Sequence, residues 1–214
     1  MVDEAYMRKK LIALSKKVRL SFCAFNTWLW RSSLRECGTG VRLEFPVRFE
    51  SPENITIGDN THIYPRTWLN CVSGWAGAMY KGEIIMGRDV KISYNVQISA
   101  ALQVVLEDGV AIGAGSVIVD HIHDYRYNGV SIFAAPISKP AAVRIGKGSF
   151  LGVHCFIAPG VQIGEHVVVS ANAVVLRDVP SYSIVAGNPA RAVRYDLRPQ
   201  AVVAEPESVG VGNG

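Results

Sequence analysis

The sequence predicts a mainly β chain wound into a triangular prism of short strands, and three observations carry that prediction. From Ile145 onward an aliphatic residue returns at every sixth position, at Ile145, Leu151, Ile157, Ile163, Val169 and Val175. A period of six fits neither one face of a helix nor the alternation of an ordinary strand, so it marks an internal repeat. The same spacing recurs earlier in three broken sets, Ile57/Ile63/Leu69, Met86/Ile92/Ile98 and Leu106/Ile112/Ile118. Glycine commonly follows the aliphatic residue, as in Ile57-Gly58, Ile112-Gly113, Ile145-Gly146, Leu151-Gly152 and Ile163-Gly164.

A hexad holds one very short strand and one corner, with the aliphatic side chain pointing inward and a small residue permitting the bend. Three hexads close a triangular coil. Coils stacked on one another pair their backbones on all sides, so that the aliphatic columns merge into a core and only the ends remain as edges. The fifteen hexads from residue 50 onward predict about five coils, a prism roughly 20–25 Å tall at a strand spacing of about 4.8 Å.

Composition agrees with a packed domain: 214 residues, 49% of them hydrophobic, are enough for one sizeable core and an appendage. A net charge of +4, from 22 Lys and Arg against 18 Asp and Glu, is too small for a nucleic-acid footprint. Cys23, Cys37, Cys71 and Cys155 follow no C-x-x-C spacing, which predicts reduced, structural thiols and neither a zinc site nor a disulfide framework. The N-terminus lacks a secretory pattern and no stretch reaches membrane-span length, so a cytoplasmic protein is expected.

Residues 8–35 predict a helix, because Leu11, Leu14, Val18, Phe22, Phe25 and Leu29 recur at steps of three and four while Lys9, Lys10, Lys16, Lys17 and Arg19 lie mostly off that stripe. Such a helix either docks on the main domain or, with its basic flank and Trp28 and Trp30, lies at a membrane surface. The expected organisation is a helical segment over 1–40, the prism over 41–195 and a flexible tail over 196–214. Two segments interrupt the rhythm, 70–85 and 119–144. Loops projecting from a regular solenoid are where chemistry is expected.

With the repeat, the loop VDHIHDYRYNG and the ending SIVAGNPARAVR in hand, the sequence resembles the hexapeptide-repeat acyltransferases. The likeness is to the branch of galactoside, maltose and streptogramin acetyltransferases and of surface-polysaccharide O-acetyltransferases. It covers roughly residues 50–195. The resemblance implies a left-handed β-helix, a homotrimer with its active site between subunits, and acetyl-CoA as co-substrate with no metal.

In that family a histidine at the start of the long loop is the general base on the acceptor hydroxyl, and His121 matches it best. Imidazole suits the task because it titrates near neutrality. His123 stays open as the alternative base, and His123, Asp120 or Asp124 could orient the catalytic ring. The resemblance assigns the pantetheine arm to Gly152, Val153, Ser170, Ala171 and Leu176, and the phosphates to Arg177, Arg191 and Arg194, whose guanidinium forks suit phosphate oxygens. Ser93 and Asn95 fall in the region of the family's acceptor contact, and Trp68, Trp75, Tyr80 and Tyr94 could stack on a sugar. One departure is Phe150-Leu151-Gly152, where relatives usually carry Trp-Ile-Gly.

The expected function is therefore O-acetylation of a sugar hydroxyl in surface-polysaccharide biosynthesis, near the inner face of the cytoplasmic membrane. Three alternatives stay open: N-acetylation of an amino sugar, a zinc-dependent γ-class carbonic anhydrase using three of His62, His121, His123, His154 and His166, and a scaffold without chemistry.

Overall fold

The computed structural model describes residues 4–126, 129 and 131–194; the tail assigned to 196–214 lies outside them. The architecture is a left-handed parallel β-helix preceded by one long helix, α1, Glu4–Arg31. Three parallel sheets form the faces. The first stacks Glu36–Cys37, Ile55–Ile57, Glu83–Met86, Gln103–Leu106, Val143–Ile145 and Gln162–Ile163. The second runs from Arg42–Leu43 up to Val168–Val169 and Ile184–Ala186, and the third from Arg48–Glu50 to Val174–Val175.

Register explains the period of six. On the first face Ile57, Met86, Leu106, Ile145 and Ile163 stand in one column. Ile63, Ile92, Ile112, Leu151 and Val169 form the second column, and Leu69, Ile98, Ile118, Ile157 and Val175 the third. All of these side chains are buried. The five coils counted from the hexads are present, and a sixth precedes them. Its inward residues are Cys37, Leu43 and Phe49; a thiol and an aromatic at two of three positions hide it from an aliphatic count.

Corners demand left-handed backbone. Between the second and third faces Arg66, Asn95, Gly115, His154 and Asn172 all have φ between 55° and 70°. A side chain on Gly115 would start 2.4 Å from the His154 ring, so His154 closes the corner above a residue that must be glycine. His166 fills the equivalent space over Gly148 at the corner between the first and second faces.

Open sheet edges would invite further pairing, and α1 covers the lower one. Asn26 donates to the Leu43 carbonyl at 2.9 Å, Thr27 Oγ1 accepts from the Leu43 N–H at 2.9 Å, and Arg31 donates to the Cys37 carbonyl at 2.8 Å. The helix ends at Arg31, four residues earlier than the periodicity predicts, because Arg35 N–H already bonds Ile55 in the prism. Docking does not use the apolar stripe. Cys23, Asn26 and Thr27 are buried, whereas Leu11, Leu14, Val18, Phe22, Phe25 and Leu29 are exposed. At the upper end Arg191–Arg194 folds back antiparallel on Ile184–Ala186.

Near the helix, His62 Nε2 lies 2.8 Å from Glu44 Oε1, both residues being buried. Burial holds this imidazole below its ordinary range, with the Glu44 hydrogen bond opposing. The unfolded chain therefore takes up the proton first, so the contribution is whole above about pH 6.5 and is lost as pH falls towards the folded value. Thermal melts should show the wild type losing a few degrees more than His62→Gln between pH 7 and pH 5. Parallel curves would remove His62 from the account.

Candidate functional site

Both insertions leave the prism at the corner joining the third face to the first. The shorter one carries a hairpin, Gly74–Trp75 with Ala78–Met79. The longer starts after Val117–Val119 and holds a single turn of 3-10 helix, Ile132–Ala134. They meet above the third face, where Trp75 Nε1 donates to the Ala135 carbonyl at 3.0 Å. Beneath them lies a cavity of about 730 Å³ whose walls include Trp68, Asn70, Gln97, Ser99, His121 and Phe133.

Asp120 organises this corner. It is fully buried, with Oδ1 accepting from Ala101 N–H at 2.8 Å and Oδ2 from Leu102 and Gln103 N–H at 2.7 Å each. The tight corner 101–103 supplies these three amides because its coil turns without an insertion. His121 Nδ1 sits 2.7 Å from Asp120 Oδ1. A carboxylate that already accepts three backbone donors takes the ring N–H as a fourth. This selects the tautomer that leaves the Nε2 lone pair for a ligand.

His123 has a different setting. Its ring lies 5.1 Å from Trp75 and 5.9 Å from Phe133 between centroids, and its Nδ1 is buried without a hydrogen-bond partner among the described residues. Asp124 turns away, accepting from the Arg126 backbone at 2.9 Å and its side chain at 3.2 Å. Of the three groups that could orient His121, the structure places Asp120 on it.

The residues expected at the cofactor fall in three places. Gly152, Val153, Ser170 and Ala171 lie where the second face turns into the third. A side chain on Gly152 would start 2.6 Å from the Ala171 amide, so this corner is packed coil on coil, with Val153 and Ala171 exposed at its rim. Leu176 and Arg177 lie on the same edge as His121, two coils further up, and both are exposed. Arg191 and Arg194 stand exposed on the returning upper strand. Ser93 and Asn95 are not in the histidine cavity. Asn95 is a left-handed corner residue of the other edge, which accounts for an asparagine there.

The polar wall opposite His121 is instead Asn70 and Ser99, joined by an Asn70 Nδ2 to Ser99 Oγ bond of 2.9 Å. Sequence reasoning missed both. They follow the inward residues Leu69 and Ile98, and the register pairs Asn70 with Ser99 and Ser99 with Val119, so laying the hexads side by side is the signal that finds them. Trp68 lines the same wall with its indole N–H buried and, among the described residues, unpartnered.

Cys71 also lines the cavity, but burial pushes its thiol up to about 12. That leaves it a poor nucleophile. Among the described residues no three His, Cys, Asp or Glu side chains converge as a metal site. His62, His154 and His166 are committed to Glu44 and to the prism corners.

Fold, repeat and histidine corner together define a hexapeptide-repeat β-helix protein with a ligand cavity at one edge. The family described as bacterial transferase hexapeptide (six repeats) matches residues 142–177. The chain is 29% identical over 143 residues to the galactoside O-acetyltransferase of Escherichia coli (strain K12), covering 65% of this chain and 63% of that protein, less than two thirds of its length. Serine acetyltransferase 2 of Arabidopsis thaliana is 47% identical over 51 residues, 24% of this chain and 16% of that protein.

Among solved structures, AntD, an N-acyltransferase from Bacillus cereus in complex with dTDP and 3-hydroxybutyryl-CoA, is similar with a TM-score of 0.68 at 21% identity, over 80% of this chain and 88% of that one. The acetyltransferase domain of PglB from Neisseria gonorrhoeae FA1090, in complex with acetyl coenzyme A, gives a TM-score of 0.53 at 18% identity, over 72% of this chain and 58% of that one. These likenesses bear on the fold.

Proposed function

We propose that the protein is an acetyl-CoA-dependent O-acetyltransferase acting on a sugar hydroxyl in surface-polysaccharide assembly, with His121 as general base. The observation that carries this reading is the His121–Asp120 pair, which presents one basic nitrogen to a cavity large enough for a sugar. His121 Nε2 takes the hydroxyl proton as the oxygen attacks the thioester carbonyl, and returns it to the departing CoA sulfur as the tetrahedral intermediate collapses. The new C–O bond replaces the C–S bond. No residue of the cavity is set up for a covalent acyl-enzyme, so attack is direct.

The polar pair Asn70–Ser99 and the unpartnered Trp68 indole N–H suit hydroxyl groups of the acceptor. Trp75 and Phe133, at 5.2 Å and nearly perpendicular, offer apolar surface to a sugar face. Exposed Val153 and Leu176 suit an apolar pantetheine arm, and Arg177, Arg191 and Arg194 suit its phosphates. The His121 corner and the Gly152–Ala171 corner stand at opposite ends of one prism side, roughly 20 Å apart at about 3.3 Å per residue. A homotrimer, in which one copy's histidine edge faces the other edge of its neighbour, brings the two halves together.

The test is release of free CoA from acetyl-CoA over a panel of nucleotide sugars, free glycosides and lipid-linked glycans. Acceptor-dependent release with a hydroxyl sugar supports the reading. Release with amino sugars alone overturns the O-acetyl assignment, and failure to bind acetyl-CoA overturns the transferase reading itself.

A further inference from the structure

Helix α1 carries more charge than the rest of the chain can balance, and none of the described residues covers its apolar stripe. Seven Lys and Arg accompany one acid, Glu4, giving the helix +6 where the whole chain has +4; the remainder is net negative. Along the stripe, Leu11 is 60% exposed and Phe22 and Phe25 each 59%, and Trp28 beside it reaches 69%. The docked residues Cys23, Thr27 and Trp30 lie about a third of a turn round the helix from this stripe, so edge capping and stripe do not compete. Ile12 and Leu20 fall outside the stripe and are exposed as well.

At 28 residues the helix is about 42 Å long, and no helix among the described residues is long and apolar enough to cross a membrane. Some of its cations flank the stripe. Arg19 lies to one side and Lys10 and Lys17 to the other at about 100° per residue, within reach of headgroups when the stripe faces down. Lys10 already bends over the Tyr6 ring at 4.8 Å. A second copy of the helix would bring +6 against +6, whereas an anionic lipid surface supplies the opposite charge and an apolar layer at once.

We propose that α1 is an interfacial helix that holds the protein on anionic lipid bilayers, with Leu11, Leu14, Val18, Phe22, Phe25 and Leu29 as the buried stripe. Docking this way requires no turnover, so the inference stands or falls apart from acyl transfer.

The experiment is co-sedimentation of the full chain with vesicles of phosphatidylcholine alone or with one third phosphatidylglycerol, at low and high salt, alongside its mass in solution by light scattering. The expected result is binding to the anionic vesicles that weakens with salt, and weakens about fivefold for each cation neutralised in a Lys10→Gln, Lys17→Gln series. Leu14→Asp with Phe22→Asp should abolish binding with the oligomeric mass unchanged. Absence of binding to anionic vesicles overturns the proposal, as does equal binding to both vesicle types. A mass that falls in the double variant overturns it too, because the stripe is then an interface between copies.

Discussion

His121→Ala will lower kcat for acetyl transfer by about 10²–10⁴-fold, the range for loss of a positioned general base, with acetyl-CoA binding within a factor of two or so of wild type. The asymmetry follows from role. His121 borders the cavity and would act on the acceptor proton, whereas the proposed contacts to acetyl-CoA fall to other residues, Gly152 and Ala171 among them. Initial rates with a saturating acceptor and direct titration of acetyl-CoA check it together. His123→Ala supplies the contrast. Its ring packs between Trp75 and Phe133 with Nδ1 enclosed, so removal should loosen the loop and raise the acceptor KM more than it lowers kcat. A collapse of kcat in His123→Ala with activity kept in His121→Ala reverses the assignment.

Asp120→Asn will cost both stability and rate. An amide offers one acceptor oxygen where four donors converge, and each buried donor left unpaired costs about 1–3 kcal/mol. At about 2–4 °C per kcal/mol for a chain of this size, the melting temperature should fall by on the order of 10 °C. The rate effect has a separate origin. An amide NH₂ turned towards Nδ1 would place the imidazole proton on Nε2, the nitrogen that must accept the hydroxyl proton. Assayed well below its melting temperature, the variant should retain acetyl-CoA binding and lose most of kcat. A lowered melting temperature with kcat intact would make Asp120 a purely structural residue.

The legible part of the molecule was its repeat. Ile145 to Val175 at steps of six predicts the columns that the register forms, because every hexad is one side of a coil and its aliphatic residue has nowhere to point but inward. The first coil was not legible. Cys37 and Phe49 are sterically acceptable inward residues without being aliphatic, and the helix end that covers the strand at Leu43 belongs to another segment.

The site was legible where chemistry is local. His121 opens a polar insertion that a solenoid does not need, and its neighbour Asp120 was among the groups weighed as its partner. Asn70 and Ser99 were invisible because they are 29 residues apart and become neighbours only through coil stacking. Ser93 and Asn95 lie close to the loop in sequence, yet stacking sets them on the edge that also carries Gly152 and Ala171.

By itself the sequence determined the period, the inward columns, the two projecting loops and the histidine that opens the longer one, because each depends on residues a few positions apart. Only the tertiary structure decided that both loops leave from one edge, that Asp120 draws three amides of the coil below and a histidine onto one carboxyl, and that the apolar stripe of α1 stays uncovered. These depend on which coil lies over which, and stacking of parallel strands makes neighbours of residues that no local spacing connects.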